Sequence, residues 1–230
     1  MFALIKKEIL SHMVSPVFSV TAALFLFLTG FAFTASLTQI STRQLPEASL
    51  RGIIYFMAVI LLFISPFLTM KTFAEEKKLG TLELLLTSPL SNLQIVLGKY
   101  LGVLFLLTAI LILTIEFPLF IFMAGHPDKA PMALSYLGIF LLGASFLSLG
   151  LLASVLTQSQ MIAALLSFVS TITLWFLGEV GRGLIGEKIS PIQHLQSFTL
   201  GILDVSDAVY YLVIIFISLF LTFRILERKR

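Results

Sequence analysis

The sequence predicts an all-α integral membrane protein with six transmembrane helices, an N-terminal helix at the membrane surface and a short cytoplasmic helix between the second and third spans. Its 230 residues are 58% hydrophobic and only 12% charged, and the mean hydropathy is +1.06. A soluble domain carries roughly 25% charged residues. The surface is therefore expected to face lipid, and the long uncharged intervals set the number of spans.

Uncharged intervals long enough to cross a bilayer core of about 30 Å recur along the chain. The longest, residues 130–178, is divided in two by a polar run from Thr157 to Gln160. Runs such as 59–63 do not alternate between apolar and polar residues as barrel strands do, so helices are predicted. We assign residues 1–230 to one domain. The predicted spans are 14–35, 53–71, 100–123, 132–156, 161–178 and 208–224, with a loop at 72–99.

A separate amphipathic helix is predicted before the first span, with Lys7 opposite an apolar stripe. The stripe consists of Phe2, Ile5, Ile9 and Met13. Pro16 would end or kink this helix where the chain turns into the membrane. The alternative is a first span that begins early. We expect the apolar run of the first span to stay in the protein and not to be removed as a signal peptide, because no signal-peptide cleavage pattern follows it.

The basic residues predict the orientation, because lysine and arginine favour the cytoplasmic side. One side holds Lys6, Lys7, Lys71, Lys77, Lys78, Lys99, Arg224, Arg228, Lys229 and Arg230. The other holds Arg43, Arg51, Lys129, Arg182 and Lys188. Both termini are therefore expected in the cytoplasm, in a multi-pass protein of a bacterial inner membrane. The net charge of +3 is accounted for by this asymmetry, so we expect no nucleic-acid partner.

The sequence lacks the patterns of a catalytic or metal centre. It has no cysteine, and its three histidines lie in different segments without the spacing of a zinc motif. Glu75-Glu76 resembles the paired glutamates of intramembrane CAAX-type proteases, but Gly80 stands where that family places an arginine. Gly98-Lys99 lacks the glycine-rich loop that binds nucleotide phosphates. We predict no catalytic residue, no metal and no directly bound cofactor.

The loop at 72–99 carries the most informative pattern. Gly80-Thr81 predicts the start of a short helix, because threonine is a favoured cap, and Ser88-Pro89 predicts its end. Ser91 and Gln94 form a predicted capping box that starts the helix leading into span three. The short helix has leucines at 82, 85 and 86 on one side. A leucine surface outside the lipid is expected to bind a partner.

These residues resemble a known family, the type-2 ABC transporter permeases (ABC-2 family). The resemblance rests on the run Glu75-Glu76-Lys77-Lys78-Leu79-Gly80-Thr81-Leu82-Glu83-Leu84-Leu85, then Pro89-Leu90-Ser91 and Gly98-Lys99. It implies that the short helix is a coupling helix, which docks in a groove of a separate ATPase subunit. The positions carried over as coupling residues are Glu75, Glu76, Gly80, Thr81, Glu83, Leu85 and Pro89.

The same resemblance implies the partners. They are an ABC ATPase dimer that binds ATP and Mg, a second copy or a homologous permease, lipid, and a periplasmic or auxiliary membrane subunit. This chain would then be a non-catalytic membrane subunit. The alternative is an ATPase-independent carrier or scaffold. A carrier is expected to contain internal repeats with broken helices, and residues 1–115 and 116–230 do not match each other in that way.

A second, shorter resemblance concerns residues 190–211. The run from Ser190 to Phe198, with Gly201 to Asp204 and Tyr210-Tyr211, is similar to the outer segment of the gliding-motility GldF and copper-maturation NosY permeases. It implies an exporter or a mechanical-work complex in which this segment closes the outer end of the pathway. Pro191 and His194 are its candidate gate residues. A pair of re-entrant half-helices, ending where Asp204 caps span six, is compatible with the same pattern.

Glu116 is the only carboxylate predicted inside a span, where an ionisable group is costly and often functional. It precedes Pro118 near the outer end of span three. One interpretation is capping, or pairing with Arg182 or Lys188 in the last outer loop. The other interpretation is that Glu116 takes part in gating or contacts the substrate. The sequence does not reveal the substrate.

Overall fold

The computed structural model describes residues 2–43, 51–124, 129–180 and 186–228, and every regular element in these ranges is a helix. The helices are α1 (Phe2–Met13), α2 (Pro16–Arg43), α3 (Arg51–Thr69), α4 (Lys71–Lys78), α5 (Thr81–Leu86), α6 (Asn92–Leu113), α7 (Glu116–Ala124), α8 (Lys129–Leu156), α9 (Gln160–Val180), α10 (Gly186–Ile189), α11 (Pro191–Thr199) and α12 (Val205–Glu227). Six segments are long and apolar enough to cross a membrane. The predicted all-α fold with six spans is confirmed.

Helix α8 lies at the centre of the bundle, where it packs against α3, α6, α9, α11 and α12. It and α3 are the most buried spans, whereas α2, α9 and α12 bury only a small share of their residues. Glycines allow the close approach. A Cβ at Gly143 would lie 2.8 Å from Leu107, and one at Gly150 would lie 2.1 Å from the Thr69 hydroxyl oxygen. Small residues bring membrane helices together in this way.

The second span continues beyond its predicted end at residue 71. Helix α4 follows α3 with only Met70 between them, and Met70 itself has helical backbone angles. The lysines, glutamates and alanine of residues 71–78 have good helix propensity, so charge alone does not end the helix. The chain is thus helical over residues 71–78, and the helix that resumes at Asn92 is the one that the Ser91–Gln94 capping box predicts.

The third span is broken, whereas the sequence predicts one continuous helix over 100–123. Helix α6 ends at Leu113 and α7 begins at Glu116. Pro118 has no N–H, so the Thr114 carbonyl lacks its usual helical donor four residues later. The Tyr136 hydroxyl donates to that carbonyl at 2.7 Å. A side chain from α8 therefore stabilises the break.

Helix α1 is separate from the first span, as predicted, but its buried face is different. Leu4, Glu8 and His12 are buried against the protein, where α1 packs on α6. Phe2 and Met13, from the predicted apolar stripe, are exposed. The stripe therefore faces away from the protein, as a face in contact with lipid would.

The chain between spans five and six returns through two short helices, α10 and α11. Helix α11 packs closely on α8, because a Cβ at Gly138 would lie 2.8 Å from Leu195. The Asp204 carboxylate accepts the Ser206 backbone N–H at 2.9 Å and caps α12, which confirms that cap. The hydrogen bonds from the Ser206 backbone and hydroxyl hold the pKa of Asp204 below its ordinary value.

Candidate functional site

A buried lysine joins three helices at the end of the bundle that carries α5. The Lys99 ammonium on α6 lies 2.8 Å from Glu8 Oε1 on α1 and 3.0 Å from Glu76 Oε2 on α4. It also donates to the Thr72 carbonyl at 2.7 Å. The Lys99 side chain is only 1% exposed. Lys99 thus donates two hydrogen bonds and forms an ion pair with Glu76, and the cluster holds α1, α4 and α6 together.

Glycines on α6 explain why α1 comes close enough for this pairing. A Cβ at Gly98 would lie 2.8 Å from Leu4 Cδ2, and one at Gly102 would lie 2.9 Å from Glu8 Cβ. Both distances are too short for a real contact. The Gly98-Lys99 pair of the sequence motif thus has a structural explanation, since the glycine admits α1 and the lysine binds its carboxylate.

Two further charged groups surround this cluster. Lys7, at the exposed side, lies 3.5 Å from Glu76 Oε1. His12 Nε2 lies 4.0 Å from Glu8 Oε2. Burial lowers the pKa of His12 below its ordinary value, and this effect outweighs the attraction of Glu8 for the charged ring. The neutral ring is therefore favoured in the packed state of α1.

A serine of α8 bridges the joint between α3 and α4. The Ser154 hydroxyl accepts the backbone N–H groups of Phe73 and Ala74, each at 3.0 Å. It also donates to the Met70 carbonyl at 3.1 Å. On the same face, the Lys77 ammonium donates to the Val155 carbonyl at the end of α8. Any displacement of α4 is thus resisted by α8.

Helix α5 begins at a glycine in the left-handed conformation. Gly80 is the residue before the helix and has φ +70°, which residues with a Cβ adopt at a cost. The predicted threonine cap is wrong, because Thr81 is already inside the helix and bonds back to the Glu76 carbonyl at 3.4 Å. The predicted capping box is confirmed, with Ser91 and Gln94 bonded reciprocally.

The predicted leucine surface of α5 is also wrong in its composition. Leu82 and Leu86 are buried in the chain's own core, and Leu85 is half-buried against it. The residues that this packing leaves exposed are Leu79, Gly80, Thr81, Glu83, Leu84, Thr87 and Pro89, which we call the α5 surface. Leu84 is 72% exposed. Leu82 and Leu86 anchor the helix, so the residues of the α5 surface face outward in their place.

The coupling residues taken from the sequence fall into two groups. Gly80, Thr81, Glu83 and Pro89 belong to the α5 surface, and Leu85 lies at its edge. The acidic pair does not lie on that surface. Glu76 binds Lys99 and Glu75 lines the cleft between α1 and α4.

Glu116 lies outside both groups. It is exposed in the first turn of α7, where a carboxylate interacts favourably with the helix dipole. It forms no ion pair with Lys188 or any other residue in the described ranges. The other predicted partner, Arg182, lies outside the described residues.

A second polar cluster lies at the opposite end of the bundle, between α11 and α12. His194 Nδ1 lies 2.6 Å from Asp207 Oδ1, and His194 Nε2 lies 3.1 Å from the Lys188 carbonyl. The ring stacks on Tyr210 at a centroid distance of 4.0 Å. Both ring nitrogens thus lie within hydrogen-bond distance of acceptor oxygens.

Two tyrosines of α12 extend this cluster to the backbone of the returning segment. The Tyr211 hydroxyl donates to the Pro191 carbonyl at 2.7 Å, and the Tyr210 hydroxyl donates to the Ile189 carbonyl. The two candidate gate residues, Pro191 and His194, are thus brought together on one anchored segment. Their hydrogen bonds hold α11 against the start of span six.

Several site residues do not appear among the sequence candidates. They are Glu8, Lys99, Ser154, Asp207 and Tyr210. Two had a visible signal. Glu8 is the only acid in α1, and Lys99 is an isolated charge near the start of a long apolar run. Ser154 had none, because serine is common in membrane helices and its partners are backbone groups of another span.

The comparisons with known proteins identify the family. A model described as "ABC-2 family transporter protein" matches residues 2–202, which is most of the chain. No curated protein matches. The family match supports a permease subunit that works with an ABC ATPase. The chain therefore belongs to the ABC-2 transporter family and is a multi-pass membrane subunit of an ABC transporter.

Proposed function

We propose that this permease receives the conformational work of a separate ABC ATPase dimer through the α5 surface. The observation that carries the proposal is the position of α5. This helix is anchored by Leu82 and Leu86, and Gly80 joins it to α4, which is itself bonded to α1, α6 and α8. An exposed surface containing Leu79 and Leu84, on a rigid support outside the apolar spans, is suited to a protein partner. ATP and Mg are bound by that partner.

The contacts around α4 support a route for the movement. A push on α5 passes to α4, which follows directly along the chain. From α4 it reaches α1 and α6 through the Lys99 cluster, and α8 through Ser154 and Lys77. Because α8 packs on most of the other spans, a shift of its end is distributed through the bundle.

The segment around α11 is proposed to close the outer end of the pathway, with Pro191 and His194 among its anchors. The hydrogen bonds that tie it to α12 support this role, since opening would require their release. Glu116 is a candidate contact for whatever passes, because it is exposed at the same end of its span. The resemblance of residues 190–211 supports an exporter or mechanical-work complex of the GldF/NosY type.

The proposed assembly contains two permeases and two ATPases, in a bacterial inner membrane with both permease termini in the cytoplasm. The second permease is another copy or a homologue, and a periplasmic or auxiliary subunit is an additional partner. Orientation is tested by single cysteines at exposed positions 78 and 188. Only position 188 should be labelled from outside intact cells, and labelling of position 78 there would reverse the assignment.

The function is tested by co-expressing the chain with each candidate ABC ATPase of its genome and measuring the complex by native mass spectrometry. We expect two copies of the ATPase with two permease chains, and hydrolysis that depends on the permease. A chain that purifies without any ATPase, and that alters no ATPase activity, would instead support the carrier or scaffold alternative.

A further inference from the structure

A polar cleft of about 430 Å³ lies between α1, the start of α2 and α4. Its volume is within the range of about 300–1,000 Å³ typical of small-molecule sites. Its charged walls are formed by Lys7, Lys71, Lys99, Glu8, Glu75 and Glu76. The rest of the lining is mixed, and it includes Leu79 and Thr81 from the edge of the α5 surface. Ammonium groups and carboxylates are thus balanced. A ligand for this cleft is expected to carry charges of both signs.

The cleft lies at the level of the lipid headgroups. Helix α3 has 19 residues, which at about 1.5 Å each gives a length of about 28 Å, close to the thickness of the hydrocarbon core. Lys71 follows two residues after the end of this helix. Its ammonium donates at 2.8 Å to the hydroxyl of Ser15, immediately before the first span. Two independent spans therefore place this wall at the membrane boundary.

Two of the charges in the cleft are available to a ligand. Lys99 is paired with Glu8 and Glu76, and Lys7 lies beside Glu76. Lys71 and Glu75, by contrast, form no ion pair within the described ranges, and the recorded hydrogen-bond partner of Lys71 is neutral. Both are only half-buried.

The order of these two charges matches one class of headgroup. Lys71 and Glu75 are four residues apart on α4, so they share a face and are separated by about 5–6 Å along the axis. Lys71 is nearer the hydrocarbon and Glu75 farther from it. In a phospholipid headgroup with a terminal amine, the phosphate is likewise next to the glycerol and the ammonium lies farther out.

We propose that the cleft binds the phosphoethanolamine headgroup of a membrane phospholipid. The Lys71 ammonium binds the phosphate, and the Glu75 carboxylate accepts N–H groups from the lipid ammonium. The bound lipid joins α1 to α4, next to the Lys99 cluster that already connects them.

Native mass spectrometry and thermal unfolding of the full chain test this proposal, with each lipid added to delipidated protein. Phosphatidylethanolamine should bind about tenfold more tightly than phosphatidylcholine, which has no ammonium N–H, or phosphatidylglycerol, which has no ammonium. Lys71→Gln should weaken the binding of all three lipids, because each has the phosphate, whereas Glu75→Gln should remove the preference for phosphatidylethanolamine. Lys6→Gln and Glu227→Gln change exposed charges outside the cleft and should retain it.

Three outcomes would overturn the proposal. Equal binding of phosphatidylglycerol and phosphatidylethanolamine would mean a surface that attracts anions only. Competition by soluble glycerophosphoethanolamine at the same concentration as the lipid would mean a site for a free phosphate ester. Wild-type lipid binding by Lys71→Gln and an unchanged lipid preference in Glu75→Gln, together with loss of ATPase binding, would mean that the cleft is a protein docking surface.

Discussion

Lys99 Nζ and Glu8 Oε1 lie 2.8 Å apart, although 91 residues separate them in the chain. Glu76 shares the same ammonium, so one buried cation serves two carboxylates from different helices. Helices α1 and α4 are therefore not independent parts. A change in the position of either alters the environment of the same charge.

Replacing Lys99 with methionine should be strongly destabilising, because it leaves Glu8 buried without its lysine and removes one of the two lysines that face Glu76. Loss of one member of a buried pair costs about 3–5 kcal/mol. Thermal unfolding of the purified protein measures the effect, with Lys6→Met as the control for removing an exposed lysine. Adding Glu8→Gln to Lys99→Met should restore part of the loss. If Lys99→Met were as stable as Lys6→Met, the role of Lys99 in holding the three helices together would be wrong.

Replacing Ser154 with alanine should destabilise the joint between α3 and α4, since the buried N–H groups of Phe73 and Ala74 lose their acceptor. A buried group left unpaired costs about 1–3 kcal/mol. Ser148→Ala is the matched control, because that hydroxyl is buried on the same helix and donates only to the Ser145 carbonyl. Hydrogen exchange of residues 71–78 should rise in the first variant and remain unchanged in the second.

Acidification should loosen α1 through His12. Packing of α1 lowers the pKa of the His12 ring, so the packed helix favours the neutral ring. The stabilisation of packed α1 is therefore fully present above pH 6.5, the ordinary pKa of the ring, and is lost as the pH falls through the lower pKa of the packed state. Hydrogen exchange of residues 2–13 between about pH 8 and about pH 5.5, corrected for intrinsic exchange rates, measures the change. His12→Gln should remove the pH-dependent component. An identical pH response in that variant would assign the effect to other groups.

Asp207→Asn should loosen the returning segment at the other end of the bundle, because it removes the charge that faces the His194 ring. Exchange in residues 191–199 should increase, while the α5 end is unaffected. Asp204→Asn is the control, since asparagine caps a helix about as well as aspartate. If both variants give the same exchange pattern, the His194–Asp207 contact does not hold the segment.

Local features of the fold were predictable from sequence, and contacts between distant helices were not. The Ser91–Gln94 capping box depends on residues three apart, so its pattern is visible in the sequence. The partners of Lys99 come from two other helices, and no local pattern specifies them. The α5 leucines were assigned to the surface because the loop is charged. Their burial depends on packing with the rest of the chain, which the period of the helix does not reveal.

The predicted helix boundaries differ from the observed ones for a similar reason. Charged residues 71–78 continue a helix because their backbone bonds remain satisfied, partly through Ser154. The break at Thr114 follows from Pro118, but its stability depends on a hydroxyl from Tyr136. The family resemblance marks residues 75–89 as a coupling segment, a role that stays a prediction. It could not separate Glu76, which binds inside the protein, from Glu83, which is exposed.

The central claim is that the α5 surface receives the work of the ATPase, and Glu83→Lys tests it most directly. This residue is exposed, so the substitution should preserve folding and membrane insertion. Glu227→Lys is the matched control, because it reverses an exposed acid near the end of α12, outside the α5 surface. The measurement is ATPase binding and permease-dependent ATP hydrolysis in lipid nanodiscs. We expect Glu83→Lys to lose one or both while Glu227→Lys behaves as wild type. Wild-type binding and stimulation by Glu83→Lys would contradict the coupling role of α5.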